Sequence, residues 1–138
     1  PPELDLPERE VSASADGALS GDVSVGPVDW RYDVPTDLGG DGTGPTPVDM
    51  FLGSLAACLS LTVRMQAERS DVSIDDIGVD VDASPRRGWV ERVAATVELD
   101  STADDATLDR VVDLGERNCY VAALLREDLP IEVSWRRA

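Results

Sequence analysis

The sequence predicts an α+β chain, and three observations carry that prediction. Stretches of period-two alternation read as strands, as where Val28, Trp30, Tyr32 and Val34 alternate with Asp29, Arg31 and Asp33. From Met50 to Met65 the chain is apolar nearly all the way round, which reads as one long central helix. Leu108, Val111, Val112 and Gly115 keep the i, i+3, i+4, i+7 spacing of a second helix. Strands grouped around helices, with no repeats and no low-complexity tract, give the α+β class. At 138 residues the chain suits a single domain over 1–138, with residues 1–8 as a loose N-terminal leader.

In order along the chain, residues 9–16 and 21–34 read as two or three strands, with small residues from Ala18 to Gly21 for a hairpin turn and Gly26-Pro27 as punctuation. Pro35 to Pro45 is a Gly- and Asp-rich loop. Its glycines do not fit G-x-G-x-x-G, no Gly-Lys follows for phosphate, and as a calcium loop from Asp37 it has Gly39 and Val48 where ligands belong. It reads as a connection into a helix. Thr46-Pro47-Val48-Asp49 then places Thr at the N-cap, Pro at the first helical position and an acid at the third, so a helix runs from Pro47 to about Arg69. Gly53, Ser54, Ala56 and Ala57 are small enough to admit another element closely. Strands follow over Ile74 to Ala83 and Trp89 to Leu99, joined by a loop over 84–88, with acids alternating outward as in an antiparallel sheet with one wet face. A second helix starts at Ser101 or Thr102, the Cys119–Arg126 stretch continues helical after a break near Asn118, and Leu129 to Trp135 closes as a strand.

Composition excludes much chemistry. All 12 basic residues are Arg; Lys and His are absent and Cys occurs twice. There is thus no Walker A lysine, no Schiff base, no Ser-His-Asp or Cys-His arrangement and no zinc site, and neither metal nor cofactor is expected. The net charge of −16 repels polyanions, so neither nucleic acid nor an anionic membrane is expected as partner. Asp outnumbers Glu 19 to 9, a Lys-free acidic balance like that of cytoplasmic proteins living in strong salt, where the Debye length falls to about 3 Å. The first ten residues lack the apolar core of a signal peptide, and the longest uncharged stretch, Met50 to Val63, is 14 residues, short for a bilayer span. A cytoplasmic location is the resulting expectation.

Cys58 and Cys119 are the conventional nucleophiles left. Each reads as a small buried hydrophobe, or the two together as a dithiol on the inward faces of two helices. A thiol peroxidase needs a thiolate to attack peroxide and a second thiol to resolve the sulfenic acid.

The segment Gly44-Pro-Thr-Pro-Val-Asp-Met-Phe-Leu-Gly-Ser-Leu-Ala-Ala-Cys58 closely resembles the "GPSPxELLLAALAAC" segment of the OsmC/Ohr family. Asp33-Val-Pro-Thr-Asp-Leu-Gly-Gly-Asp resembles the approach to it, and Asn118-Cys119-Tyr120-Val121 lies where that family has its second cysteine in "CPV". The resemblance covers most of residues 10–137. It implies an OsmC-like fold in which antiparallel sheets wrap two central helices in an intertwined homodimer. It implies an organic hydroperoxide substrate, Cys58 as peroxidatic thiolate, Cys119 as resolving thiol, and a small dithiol or lipoylated protein as reductant.

Departures accompany the match. A Gly-Gly-Arg turn after the first strand is replaced by Ser14-Ala15-Asp16-Gly17-Ala18, without the arginine. Val48 lies ten residues before Cys58; the acid is Asp49, nine before, which the capping box already explains. Nine residues are about 2.5 turns and ~13 Å, so Asp49 faces away from Cys58 on its own helix, and any chemical role is expected at a site on the partner subunit or only in orienting another group. Arg9, Arg31 and Arg64 are the other cations considered, and none is assigned a role. Tyr120 replaces the proline after the second cysteine. The competing expectation is an OsmC-fold protein without peroxidase activity, binding a small apolar ligand or serving as a structural dimer.

Overall fold

The computed structural model describes residues 8–16, 18–86, 89–125 and 127–138; most of the expected leader, and Gly17, lie outside them. Two compact units make up the chain, one over Asp5–Phe51 and one over Leu52–Ala138.

In the first unit, β1 (Ser12–Ala15), β2 (Gly21–Val25) and β3 (Val28–Tyr32) form an antiparallel meander in the order β1-β2-β3. The alternation of β3 does not continue through Asp33. That residue is buried, against the outward position its pattern predicts. Its Oδ1 accepts from Val34 N at 2.7 Å, and its Oδ2 accepts from Thr43 N at 3.1 Å and Thr43 Oγ1 at 2.6 Å. Alternation reports which face a residue takes; here backbone N–H groups of the following loop fold over the carboxylate and make an acid tolerable inside. A Cβ at Gly40 would stand 2.7 Å from Asp33 Oδ1 and collide with the Val34 carbonyl, so only glycine lets the loop close this tightly. The loop carries one 3-10 turn, Thr36–Leu38.

Helix α1 runs over Pro47–Arg69 as predicted. The capping box closes reciprocally: Asp49 N donates to Thr46 Oγ1 at 3.1 Å and Thr46 N to Asp49 Oδ2 at 2.9 Å. The expectation of a helix buried all round needs correction. Leu55, Leu59, Val63 and Ala67 make a buried stripe, whereas Phe51 is 44% and Leu61 58% exposed. A three-stranded sheet covers only one side of a helix, and Leu61 lies on the side away from the buried stripe. By length and composition α1 is also apolar enough to cross a membrane, since a window admitting two charges is longer than the uncharged run.

In the second unit, β4 (Asp76–Arg86) and β5 (Trp89–Asp100) form a long antiparallel hairpin with Val79 opposite Val97. Pairing extends through most of the predicted 84–88 loop. β5 is central in the order β4-β5-β6, and Val93, Ala95, Val97 and Leu99 on its inner face are at most 1% exposed. Truncating one of the larger of these side chains to Ala costs about 2–5 kcal/mol. β6 (Ile131–Arg137) pairs with β5 in parallel, so this sheet is mixed where an antiparallel one was expected. The 101–130 crossover is long enough to return the chain in the same direction.

Within that crossover, α2 (Asp105–Arg117) starts later than predicted. Asp104 is its N-cap, accepting from Thr107 N at 2.8 Å, while Ser101 donates instead to the Ser73 carbonyl. The close approach of helices is also relocated. It falls where a Cβ on Gly115 of α2 would lie 3.1 Å from Val63 Cα of α1, whereas nothing lies within 4 Å of a Cβ on Gly53. The break at Asn118 is present, and α3 is a single turn, Tyr120–Ala123, shorter than the predicted stretch.

Candidate active site: a buried cysteine pair

Cys58 lies on α1 between the buried Leu55 and Leu59, and is itself half-buried. Cys119 occupies the step between α2 and α3 and is 1% exposed. Both belong to one hydrophobic cluster, with Leu55, Leu59, Val93 and Ala95 at its centre and aliphatic side chains of β4, β6 and α3 around it. Both thiols are free.

The local backbone holds Cys119 firmly. Its N–H donates to the Glu116 carbonyl at 3.1 Å, and its Sγ serves as N-cap of α3 by accepting from Ala122 N at 3.5 Å. Burial pushes the thiol up to about 11. The N–H groups of Ala122 and Val121 oppose that rise; the hydrogen bond and charge interaction with Cys58 add to it. At neutral pH Cys119 is therefore a thiol whose neighbour is the other sulfur.

Asp49 does not join this pair. Its carboxylate is exposed and caps α1, about 2.5 turns of helix from Cys58. Arg31 is the best-anchored cation of its unit: it donates to Asp16 Oδ2 at 2.8 Å, to Ser20 Oγ at 2.8 Å and through Nε to Thr43 Oγ1 at 3.0 Å. Thr43 passes the chain of bonds on to Asp33, whose carboxyl is lowered to about 2, first by Thr43 and then by Val34. This Arg31–Thr43–Asp33 network escaped the sequence reading. Its one local trace was an acid just past the end of a strand followed by a Gly-rich loop. Arg64 donates to the Ile74 carbonyl and ties the end of α1 to the following turn, and Arg9 is exposed. Among the described residues no group of His, Cys, Asp and Glu could hold a metal ion.

Known proteins share this frame. The profile of the family described as OsmC-like protein matches residues 40–134, a span that includes both cysteines. An uncharacterized protein of Haloferax volcanii is 27% identical over 114 residues, covering 80% of this chain and 81% of its own. The crystal structure of an OsmC-like protein from Mycoplasma pneumoniae superposes with a TM-score of 0.85 at 18% identity, covering 96% of this chain and 98% of that one. An organic hydroperoxide resistance protein OsmC from Legionella pneumophila superposes at 0.77 with 20% identity, covering 96% and 98%. With the matched span running from the loop before α1 into β6, the chain belongs to the OsmC/Ohr family of OsmC-like proteins.

Proposed function

We propose that the protein is a thiol peroxidase acting on organic hydroperoxides, with Cys58 as the attacking thiolate and Cys119 as the resolving thiol. The observation that carries this reading is the meeting of the two thiols inside one aliphatic cluster. The hydroperoxide-resistance relatives supply the substrate class. In the first step the Cys58 thiolate attacks the distal peroxide oxygen, the O–O bond breaks, and the alkoxide leaves and takes a proton. Cys58 is now a sulfenic acid. The Cys119 sulfur, on losing its proton, attacks the Cys58 sulfur; an S–S bond forms, the S–O bond breaks, and hydroxide leaves as water. A small dithiol or lipoylated protein then exchanges with the disulfide and returns two thiols. Such re-reduction belongs to a reducing, cytoplasmic setting.

The reading includes a homodimer. The exposed side of α1 that carries Ala57 and Leu61 is the surface that a second copy would cover, and Asp49 would act, if at all, on that copy's site. The rival reading, a family-fold protein without peroxidase activity that binds a small apolar ligand or serves as a structural dimer, draws on Ser14-Ala15-Asp16-Gly17-Ala18, which lacks the Gly-Gly-Arg arginine.

Titration decides between them. One equivalent of cumene hydroperoxide added to the reduced protein in concentrated salt should remove both free thiols together, and Cys58→Ser should abolish the loss. Thiols unchanged after that addition sink the peroxidase reading.

A further inference from the structure

The segment between β3 and α1 is closed by nested contacts. Asp33 N donates to the Pro45 carbonyl at 3.1 Å, Arg31 Nε donates to Thr43 Oγ1, and outside both Trp30 Nε1 donates to Met50 Sδ. Trp30 belongs to β3 and Met50 to the first turn of α1, where its own N–H donates to the Thr46 carbonyl at 3.0 Å. An indole nitrogen is a donor only, and a thioether is a weak acceptor. The outermost closure, between partners 20 residues apart, therefore ends on the weakest acceptor of the three. The contact lies at the surface, with Trp30 38% exposed, so a dissolved oxidant can reach it. The segment Asp5–Phe51 contains no cysteine and a single methionine, which makes this sulfur its one soft, oxidisable atom.

We propose that Met50 is a peroxide-sensitive latch: oxygen transfer to its Sδ gives a sulfoxide that holds Trp30 more firmly than the thioether does. A lone pair of Sδ attacks the distal oxygen of an organic hydroperoxide, and an S–O bond forms as the O–O bond breaks. The alkoxide takes the proton of the transferred oxygen and leaves as the alcohol. Sulfur gives up two electrons and the hydroperoxide takes them. The sulfoxide is polar, and its oxygen carries negative charge that the thioether sulfur lacked, so it accepts the indole N–H more strongly. The rotatable bonds of the methionine side chain let that oxygen turn to the donor. Neither cysteine takes part, so the inference goes beyond the peroxidase reading and does not depend on it. Hydroperoxide then fastens the loop that leads into α1, the reverse of the disruption that oxidation brings to a methionine packed in a core.

Backbone hydrogen exchange reads the latch. The full chain is treated with tert-butyl hydroperoxide, peptide mass locates the added oxygen, and exchange over 34–49 is followed before and after treatment. Parent, Met50→Leu and Trp30→Phe are compared. Met50→Leu keeps both cysteines and Met65, so the effect of oxidation elsewhere appears in it equally. Strengthening one neutral hydrogen bond predicts exchange about fivefold slower in the oxidised parent than in the untreated one. Trp30→Phe should take up the same oxygen on Met50 without that protection, and Met50→Leu should exchange alike before and after. Met50 left unoxidised overturns the inference. So does an oxidised parent that exchanges as fast as the untreated one, or a Trp30→Phe variant protected as well as the parent. The parent comparison needs no substitution, so it decides even if a variant folds poorly. Failure here is distinct from failure of the peroxidase reading, which is decided by the two thiols and cumene hydroperoxide whatever happens at Met50.

Discussion

Asp33 is a carboxylate that the fold uses as a clasp. It gathers Val34 N, Thr43 N and Thr43 Oγ1, and its loop delivers the chain to the N-cap of α1. Its folded value, about 2, lies below the ordinary value, so its contribution is fully present above about pH 4 and is lost as pH falls through about 2. Limited proteolysis of the 33–45 loop should therefore accelerate between about pH 4 and 2 in the parent. In Asp33→Ala the loop should already be cut rapidly at neutral pH, with no such acid step. Equal protection of parent and variant at pH 7 contradicts the clasp. Sequence alternation had put Asp33 with the outward residues, because period two encodes a face and cannot encode the loop that returns over it.

At the level of elements, legibility followed the range of the determining interactions. The start of α1 was readable to the residue, because Thr46, Pro47 and Asp49 are neighbours and their hydrogen bonds are local. The direction of β6 was not, since it depends on how far the 101–130 crossover travels before returning to β5. The helix contact at Gly115 was likewise out of reach: a small residue admits a partner without naming the side on which the partner lies. The exposed side of α1 then carries the element-scale prediction. Leu61 is 58% exposed and belongs to neither core cluster of the described residues, so Leu61→Asp should leave a folded monomer with native helical signal. Light scattering should show two chains per particle for the parent and one for the variant; a parent already at one chain removes the homodimer from the proposal.

Across the whole molecule the dominant quantity is charge. A net −16 is spread over the chain, and on the outer face of the second sheet Asp76 stands directly opposite Asp100. Like charges directly opposed across strands destabilise the pairing. Arg136, paired with Glu98 two residues along β5, relieves part of that repulsion. Raising salt from about 0.1 M to about 1 M shortens the Debye length from roughly 10 to 3 Å, which screens the rest. Thermal midpoints measured along a potassium chloride series should rise, by about 4 °C for each kcal/mol of repulsion screened in a chain of this size. A flat or falling series contradicts the halophilic reading of the composition. The family and the two cysteines were visible in the sequence, whereas their sharing of one cluster required both the crossover and the break at Asn118 that turns Cys119 back into it.

That break has a mechanical consequence. The sulfur that caps α3 is the same atom that the proposed reaction would consume, so the chemical state of the pair is coupled to the backbone at Ala122. The turn Tyr120–Ala123 is held as well by Ala123 N donating to the Cys119 carbonyl and Leu124 N to the Tyr120 carbonyl, so the redox chemistry of the pair would act on one bond of a segment whose backbone is otherwise tied down.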